Sequence, residues 1–415
     1  MTESGDRRQA GFKQRTRLAA ARATLQELVA VVTEVESVSL LDGDGRVLAE
    51  RVAAERDVPH YPRAAMDGYA VRASDTFGAS DRSPNVLRVG EGDGGAGEAV
   101  RVHTGSELPS GANAVVMIEH VESLGEEIEV FDAVAEGENV GPVGEDVSAG
   151  TELYEPGHRL RPSDLGLLKS VGLRSVDVRR KPQVAVIPTG EEVVQADPGP
   201  GEVVETNGLT VTRLVRRWGG EPRYREVVPD DETELREAIE RDLDADILVT
   251  TGGSSVGERD LTPEIVDDLG EVLVHGVAIK PGHPVAIGRV QETPVLLLPG
   301  YPVSCIVNAM QFLRPAIRWA AGTEVTGPPT VRATLEGKLR SEPGVRTFAR
   351  VELEGGEPDA SGDGEEAPVA IPVSASGAGV LSSVALADGW VTIPESVEGI
   401  PAGETVEVER WEALP

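Results

Sequence analysis

The chain has 415 residues with 71 acidic and 39 basic side chains, and its formal net charge of −32 argues against nucleic acid as a partner, since a polyphosphate would be repelled. No run of about 18 apolar residues offers a membrane span, no apolar signal segment follows Met1, and the single cysteine, Cys305, allows no internal disulfide, so a reducing cytoplasm is expected. With 40% apolar residues and regular patterning, such an acidic, lysine-poor chain is expected to fold in a high-salt cytoplasm, where screening removes most repulsion between carboxylates.

Residues 1–17 read as a tail, and Leu18 to Val32 as an amphipathic helix carrying Leu25, Leu28, Val29 and Val32. Short runs at Val38–Leu41 and Val47–Val52 predict strands, ahead of an extended stretch punctuated by Pro59 and Pro62. Asp67-Gly68 reads as a turn before the strand Tyr69–Val71. Val86–Val89, Val100–His103 and Ala114–Ile118 then predict a small β domain, with a loop at Thr104-Gly105 and Pro109. Glu136–Gly150, rich in glycine and acids and containing Asp146, reads as a crossing between domains. A helix is expected over Pro162–Val171, with Ser163 as its N-cap.

At Gln183 the pattern becomes alternating strand and helix. The strand Val184–Gly190 ends in Thr189-Gly190 with Glu191-Glu192 behind it; helix Asn207–Trp218, strand Tyr224–Val228, the pair Asp230-Asp231, helix Thr233–Leu243 and strand Ile247–Thr250 follow. Further on come helix Pro263–Leu269, the extended Val272–Ile279, strands Val285–Gly288 and Val295–Leu298, and helix Val303–Ala321. This recurrence predicts a mostly parallel sheet covered by helices, with ligands at the carboxyl ends of its strands. After Pro328-Pro329, strands at Val331–Leu339, Arg346–Leu353, Ala370–Val373, Trp390–Ile393 and Thr405–Glu409 predict a β-barrel or sandwich, with an acidic loop at Gly355–Glu366.

The segment DILVTTGGSSVGERD, Asp246 to Asp260, is strand, glycine turn and helix start. Gly252, Gly253, Ser254, Ser255 and Gly257 can turn backbone N–H groups into one concavity, which suits an oxyanion or phosphate. Glu258 and Asp260 would repel a bare phosphate, so a cation such as Mg²⁺ between them is expected. The competing reading is a tight turn and nothing more. Likewise Asp230 or Asp231 could simply cap the next helix, with Glu234 completing a capping box. No G-x-x-x-x-G-K-[ST] segment occurs, which disfavours a P-loop hydrolase.

Taken in order, AMDGYAVR, TG…P.G…AVVM, GEDV, PTGEEV, TTGGSSVGERD, AIKPG and LPG.PVS resemble the molybdopterin molybdenumtransferases, the MoeA proteins and the gephyrin E domain, from Leu18 to Glu412. The resemblance implies a multidomain α/β plus β protein. An extended discontinuous domain would cover 18–58 and 142–181, a small β domain 59–141, a molybdopterin-binding-like α/β domain 182–327 and a C-terminal β-barrel 328–415. It also implies a homodimer, with sites between the α/β domain of one subunit and the small β domain of the other. The implied reaction inserts molybdenum from molybdate into adenylated molybdopterin with Mg²⁺-dependent release of AMP; the pterin adenylyltransferase and acceptor apoenzymes are the implied further partners.

Residue by residue, the family's functional acids fall on Asp67, Asp146, Glu192, Asp230 and Asp260, and its lysine on Lys280. Glu192, Asp230 and Asp260 are therefore expected to bind Mg²⁺ or position water, and Lys280 to reach a phosphate. The Gly252, Gly253, Ser254 and Ser255 backbone is expected to hold the pterin phosphates, with Pro299 and Pro302 as a wall; Thr189, Gly190 and Gly300 are also expected to bind the cofactor, and Arg350 matches a family arginine. Four places depart: Gly141-Pro142-Val143 stands where the family often has arginines, His283 and Tyr301 replace a basic residue and an asparagine, and Ala378 replaces a serine. Arg63, Arg159 and Arg346 are the candidate stand-ins. The departures keep open a non-catalytic carrier or scaffold beside the enzyme, and tungstate, too similar to molybdate in size and charge for a sequence to separate, keeps open a tungstate-using paralogue.

Overall fold

A computed structural model of the chain describes residues 15–252, 261–355, 367–373 and 377–413. The chain forms two compact units, one from Met1–Val35 and Arg179–Pro415, the other from Glu36–Val178. Among the described residues no helix is long and apolar enough to cross a membrane.

The unit Glu36–Val178 holds a six-stranded sheet in the order Ala114–Met117, Gly68–Val71, Glu98–Val102, Asn85–Gly90, Glu127–Val130, Val121–Leu124. Val71, Leu87, Ala99, Val116 and Ile128 fill its core. Helix α2, Pro162–Ser170, starts two residues earlier than Ser163 capping would require. Pro162 takes the first helical position, where a missing N–H costs nothing, so the cap falls on Arg161. Asp164, 2% exposed, accepts hydrogen bonds from Arg161 N at 2.9 Å, His158 Nε2 at 2.8 Å and the Tyr154 hydroxyl at 3.1 Å.

The other unit opens with helix α1, Leu18–Leu28, which buries Leu18, Ala21 and Leu25. It stops short of the expected Val32 because the β-branched Val29, Val31 and Val32 leave the helix, and Val32 N–H donates instead to Ala320 O at 2.8 Å. A second six-stranded sheet runs Glu221–Tyr224, Gln183–Pro188, Ile247–Thr251, Thr293–Leu298, Ala286–Val290, Glu271–His275. The first four are mutually parallel, whereas Ala286–Val290 runs antiparallel to both neighbours. Val184, Val186, Ile247 and Val249 pack on one face with helix α3, Asn207–Arg217, while Ala185, Ile187 and Leu248 pack on the other with α4, Glu232–Arg241, and α5, Leu261–Leu269. Burial on both faces is why these strands read as continuous apolar runs.

Two expected elements shift. The strand expected over Tyr224–Val228 ends at Tyr224; Arg225 N–H still donates to Val186 O at 3.0 Å while its guanidinium meets the buried Asp242 at 3.0 Å, and Val228 keeps only an isolated bridge to Thr189. The helix expected over Val303–Ala321 is α6, Pro302–Asn308, then a π turn over Ala309–Leu313, then α7, Arg314–Ala320. Pro315 has no N–H to give the Gln311 carbonyl, and Arg22 supplies the missing donor, at 2.8 Å to that carbonyl and 2.6 Å to Gln311 Oε1.

Beyond Pro328, Thr330–Leu335, Arg346–Glu354, Val369–Pro372, Gly389–Ile393 and Thr405–Glu409 close on themselves through the Arg346–Glu354 to Gly389–Ile393 pairing, which makes a barrel rather than a sandwich. The two-residue strand Ile279–Lys280 joins this barrel, with Ile279 opposite Arg346 and Lys280 opposite Thr347. Most of the acidic loop expected over Gly355–Glu366 lies outside the described residues.

Candidate functional site

A cavity of about 940 Å³ opens where Gln183–Pro188, Ile247–Thr251 and Thr293–Leu298 end, and barrel residues such as Phe348 and Arg350 form its far wall. Three strand ends are tied together there: Thr189 N–H donates to Thr251 O at 3.3 Å and Gly252 N–H to Leu298 O at 3.1 Å. Thr189, Glu192 and Gly252 line the cavity, as do Lys280, Pro299, Gly300, Pro302 and Arg350. Gly190 does not; its N–H is spent on Val228 O at 3.1 Å. Gly253, Ser254, Ser255, Gly257, Glu258 and Asp260 lie outside the described residues. Asp67 and Asp146 belong to the other unit.

Among the described residues, two buried hydroxyls in the lining, Thr189 Oγ1 and Thr251 Oγ1, have no hydrogen-bond partner. Such groups cost free energy unless a polar ligand or water meets them. The surrounding turns are braced by side chains that sequence reasoning missed. Asn207 Nδ2 donates to Gly300 O at 2.6 Å, and the wholly buried Asn308 Nδ2 donates to Gly282 O at 2.9 Å and Ser304 O at 2.8 Å. Asn207 and Asn308 read only as helical residues in the sequence, so nothing there pointed to these contacts.

Lys280 Nζ donates to Glu342 Oε1 at 2.8 Å. That bond and the Lys280 charge, with Arg15 and His283 adding smaller contributions, hold the Glu342 carboxyl below its ordinary range. His283 also lines the cavity; burial first, then the Arg15 charge, disfavours its protonated form. Arg350 donates to Ser383 Oγ at 2.7 Å. Asp231, not Asp230, caps α4, its carboxylate accepting from Thr233 N at 2.9 Å and Glu234 N at 3.1 Å. Asp230 is left outside the cap. Burial and the neighbouring Glu192 and Glu191 charges raise its titration, against a stabilising hydrogen bond from the Glu191 backbone. A carboxylate destabilised by burial and by its own neighbours is suited to a cation. Among the described residues, however, no three His, Cys, Asp or Glu side chains gather to hold a metal.

In the second unit, Asp67 Oδ1 accepts from Thr104 N at 2.7 Å and Thr104 Oγ1 at 3.0 Å, and these bonds lower its titration. The side chain thus ties its turn to the Thr104-Gly105 loop. The candidate stand-in arginines have partners of their own: Arg63 pairs with Glu145 at 3.1 Å, Arg346 with Glu395 at 2.9 Å, and Arg159 donates to Gly45 O at 3.3 Å. Of the departures from the family pattern, His283, Tyr301 and Ala378 all line the cavity.

Family models match most of the chain: the MoeA N-terminal region, domains I and II, over residues 16–172; a probable molybdopterin binding domain over 185–319; and the MoeA C-terminal region, domain IV, over 332–411. A molybdopterin molybdenumtransferase 2 of Mycobacterium tuberculosis is 33% identical over 396 residues, which is 90% of this chain and 94% of the relative. A molybdopterin molybdenumtransferase of Haemophilus influenzae is 31% identical over 411 residues, 95% of this chain and 98% of the relative. Two structures of molybdopterin biosynthesis MoeA proteins from Pyrococcus horikoshii superpose with TM-scores of 0.80 and 0.78 at 36% and 33% identity, covering 96% and 95% of this chain and 99% of each.

Proposed function

The chain belongs to the MoeA family, and on that premise we propose that it is a molybdopterin molybdenumtransferase, inserting molybdenum from molybdate into adenylated molybdopterin and releasing AMP. One observation carries the reading. Residues from separate strand-end loops (Thr189, Glu192, Gly252, Lys280 and Pro299-Gly300) meet Arg350 of the barrel around a single cavity.

The donor set suits Mg²⁺, because Glu192 and the half-buried Asp230 are hard carboxylates that repel one another. Asp260 is the proposed third ligand. Bound there, Mg²⁺ would neutralise the nonbridging oxygens of the substrate's pyrophosphate. The protein's own groups do the rest: the Lys280 ammonium meets a phosphate as a point charge, and the Thr189 and Thr251 hydroxyls offer hydrogen bonds inside the cavity. Pro299 and Pro302 keep the facing wall stiff. The homodimer implied by the resemblance belongs to the proposal, with Asp67 and Asp146 acting in trans. Mixing Asp67→Asn with Lys280→Ala subunits tests this by recovery of activity that neither variant shows alone.

A carrier or scaffold is the second reading, favoured by the placement of His283, Tyr301 and Ala378 in the cavity lining. Reconstitution of a cofactor-free molybdoenzyme separates the two. Active enzyme formed from adenylated molybdopterin, Mg²⁺ and molybdate supports the transferase, and parallel reactions with tungstate rank the oxyanions. Tight pterin binding with no reconstitution supports the carrier.

A further inference from the structure

Lys280 is the cation that the proposed chemistry assigns to a substrate phosphate, yet its ammonium already has an anion. Glu342 Oε1 lies 2.8 Å from Lys280 Nζ. The two residues are 62 positions apart, and backbone holds each in place. Lys280 lies in the short strand opposite Thr347, and Asn308 fixes the next turn through Gly282 O. Glu342 closes a turn in which Val345 N–H donates to its carbonyl at 3.1 Å. Lys280 lines the cavity and Glu342 does not. With side chains 53% and 60% exposed, the pair is held loosely enough to exchange partners.

We infer that Glu342 is a tethered substitute for the anion: it occupies Lys280 while the cavity holds no ligand and is displaced by the substrate phosphate, so it sets anion affinity and release without touching reacting atoms. This rests on the reading above, in which Lys280 meets a phosphate. A tethered competitor weakens binding of every anion that uses the lysine and speeds product departure. Arg15 lies near enough to contribute to the same carboxylate's environment, so a displaced Glu342 keeps a positive neighbour.

Titration calorimetry with inorganic pyrophosphate, at fixed ionic strength and with Mg²⁺, tests the inference on the full chain. Glu342→Gln should bind pyrophosphate about two- to fivefold more tightly than the unaltered protein. Glu342→Ala should tighten similarly, whereas a purely structural role would weaken it. In a Lys280→Ala background the Glu342→Gln effect should vanish. A folded Glu342→Gln protein with unchanged or weaker affinity overturns the role of Glu342. If Lys280→Ala binds as the unaltered protein does, or if no variant binds, the assignment of Lys280 to the phosphate fails and the inference falls with it.

Discussion

Gly252 and Thr189 approach so closely that a Cβ on Gly252 would stand 2.2 Å from the Thr189 carbonyl oxygen. Gly252 also sits at φ +126°, a conformation that L side chains rarely adopt. The two adjacent strand ends therefore meet through bare backbone, and the cavity floor depends on it. Gly252→Ala should destabilise the protein by at least about 2 kcal/mol, read from denaturant unfolding. An alanine variant of undiminished stability would show that the strand ends can part.

Asp230 offers a case where stability and activity should move in opposite directions. Its titration is raised by burial and by Glu192 and Glu191, so the ionised form is disfavoured in the folded state. The resulting cost is absent below the unfolded-state carboxyl range and complete once pH exceeds the folded value. Asp230→Asn should therefore stabilise the fold at neutral pH, by less than about 1 kcal/mol after solvent screening, and the gain should fade in acid. The same variant should lose Mg²⁺-dependent turnover. A less stable variant at neutral pH would contradict the argument.

Asp164 has the opposite sign. Burial alone would raise its titration, but hydrogen bonds from Arg161, His158 and Tyr154 outweigh burial and hold the carboxyl well below its usual range. Its contribution is complete above the unfolded-state value and is lost as pH falls through the folded one. Asp164→Asn, which leaves those donors without their anion, should cost about 3 kcal/mol at neutral pH and blunt the protein's acid sensitivity. Urea unfolding at several pH values measures both effects.

A net charge of −32 predicts dependence on salt. Moving the protein from multimolar KCl to dilute buffer lengthens the range of carboxylate repulsion and should unfold it cooperatively, as circular dichroism would record. Full stability in dilute buffer would remove the high-salt reading.

Much of this fold was legible because its buried strands are apolar runs and its helices carry apolar residues at helical spacing. The misplacements have identifiable causes. Val227 and Val228 favour a strand by composition, but beyond Tyr224 the chain keeps only spaced bonds to its neighbour, Arg225 N–H to Val186 O at 3.0 Å and Val228 N–H to Pro188 O at 2.9 Å, while the Arg225 side chain pairs with the buried Asp242. The choice between Asp230 and Asp231 as helix cap needs the backbone geometry at the start of α4, which adjacent identical residues do not reveal. Likewise the loops around Thr189, Gly252 and Pro299 could be read as strand ends. Glu342 could not, since its contact with Lys280 exists only once the barrel strand Arg346–Glu354 pairs with Ile279–Lys280.

Whether this cavity cleaves an adenylated pterin while loading metal is read most directly from single-turnover release of AMP. Protein in excess over adenylated molybdopterin, with Mg²⁺ and molybdate in concentrated KCl, should release AMP in step with formation of active cofactor. Lys280→Ala should bind the substrate roughly ten- to a hundredfold more weakly, as expected for a lost charged hydrogen bond. Tight substrate binding by the unaltered protein with no AMP released would contradict the transferase and leave a carrier.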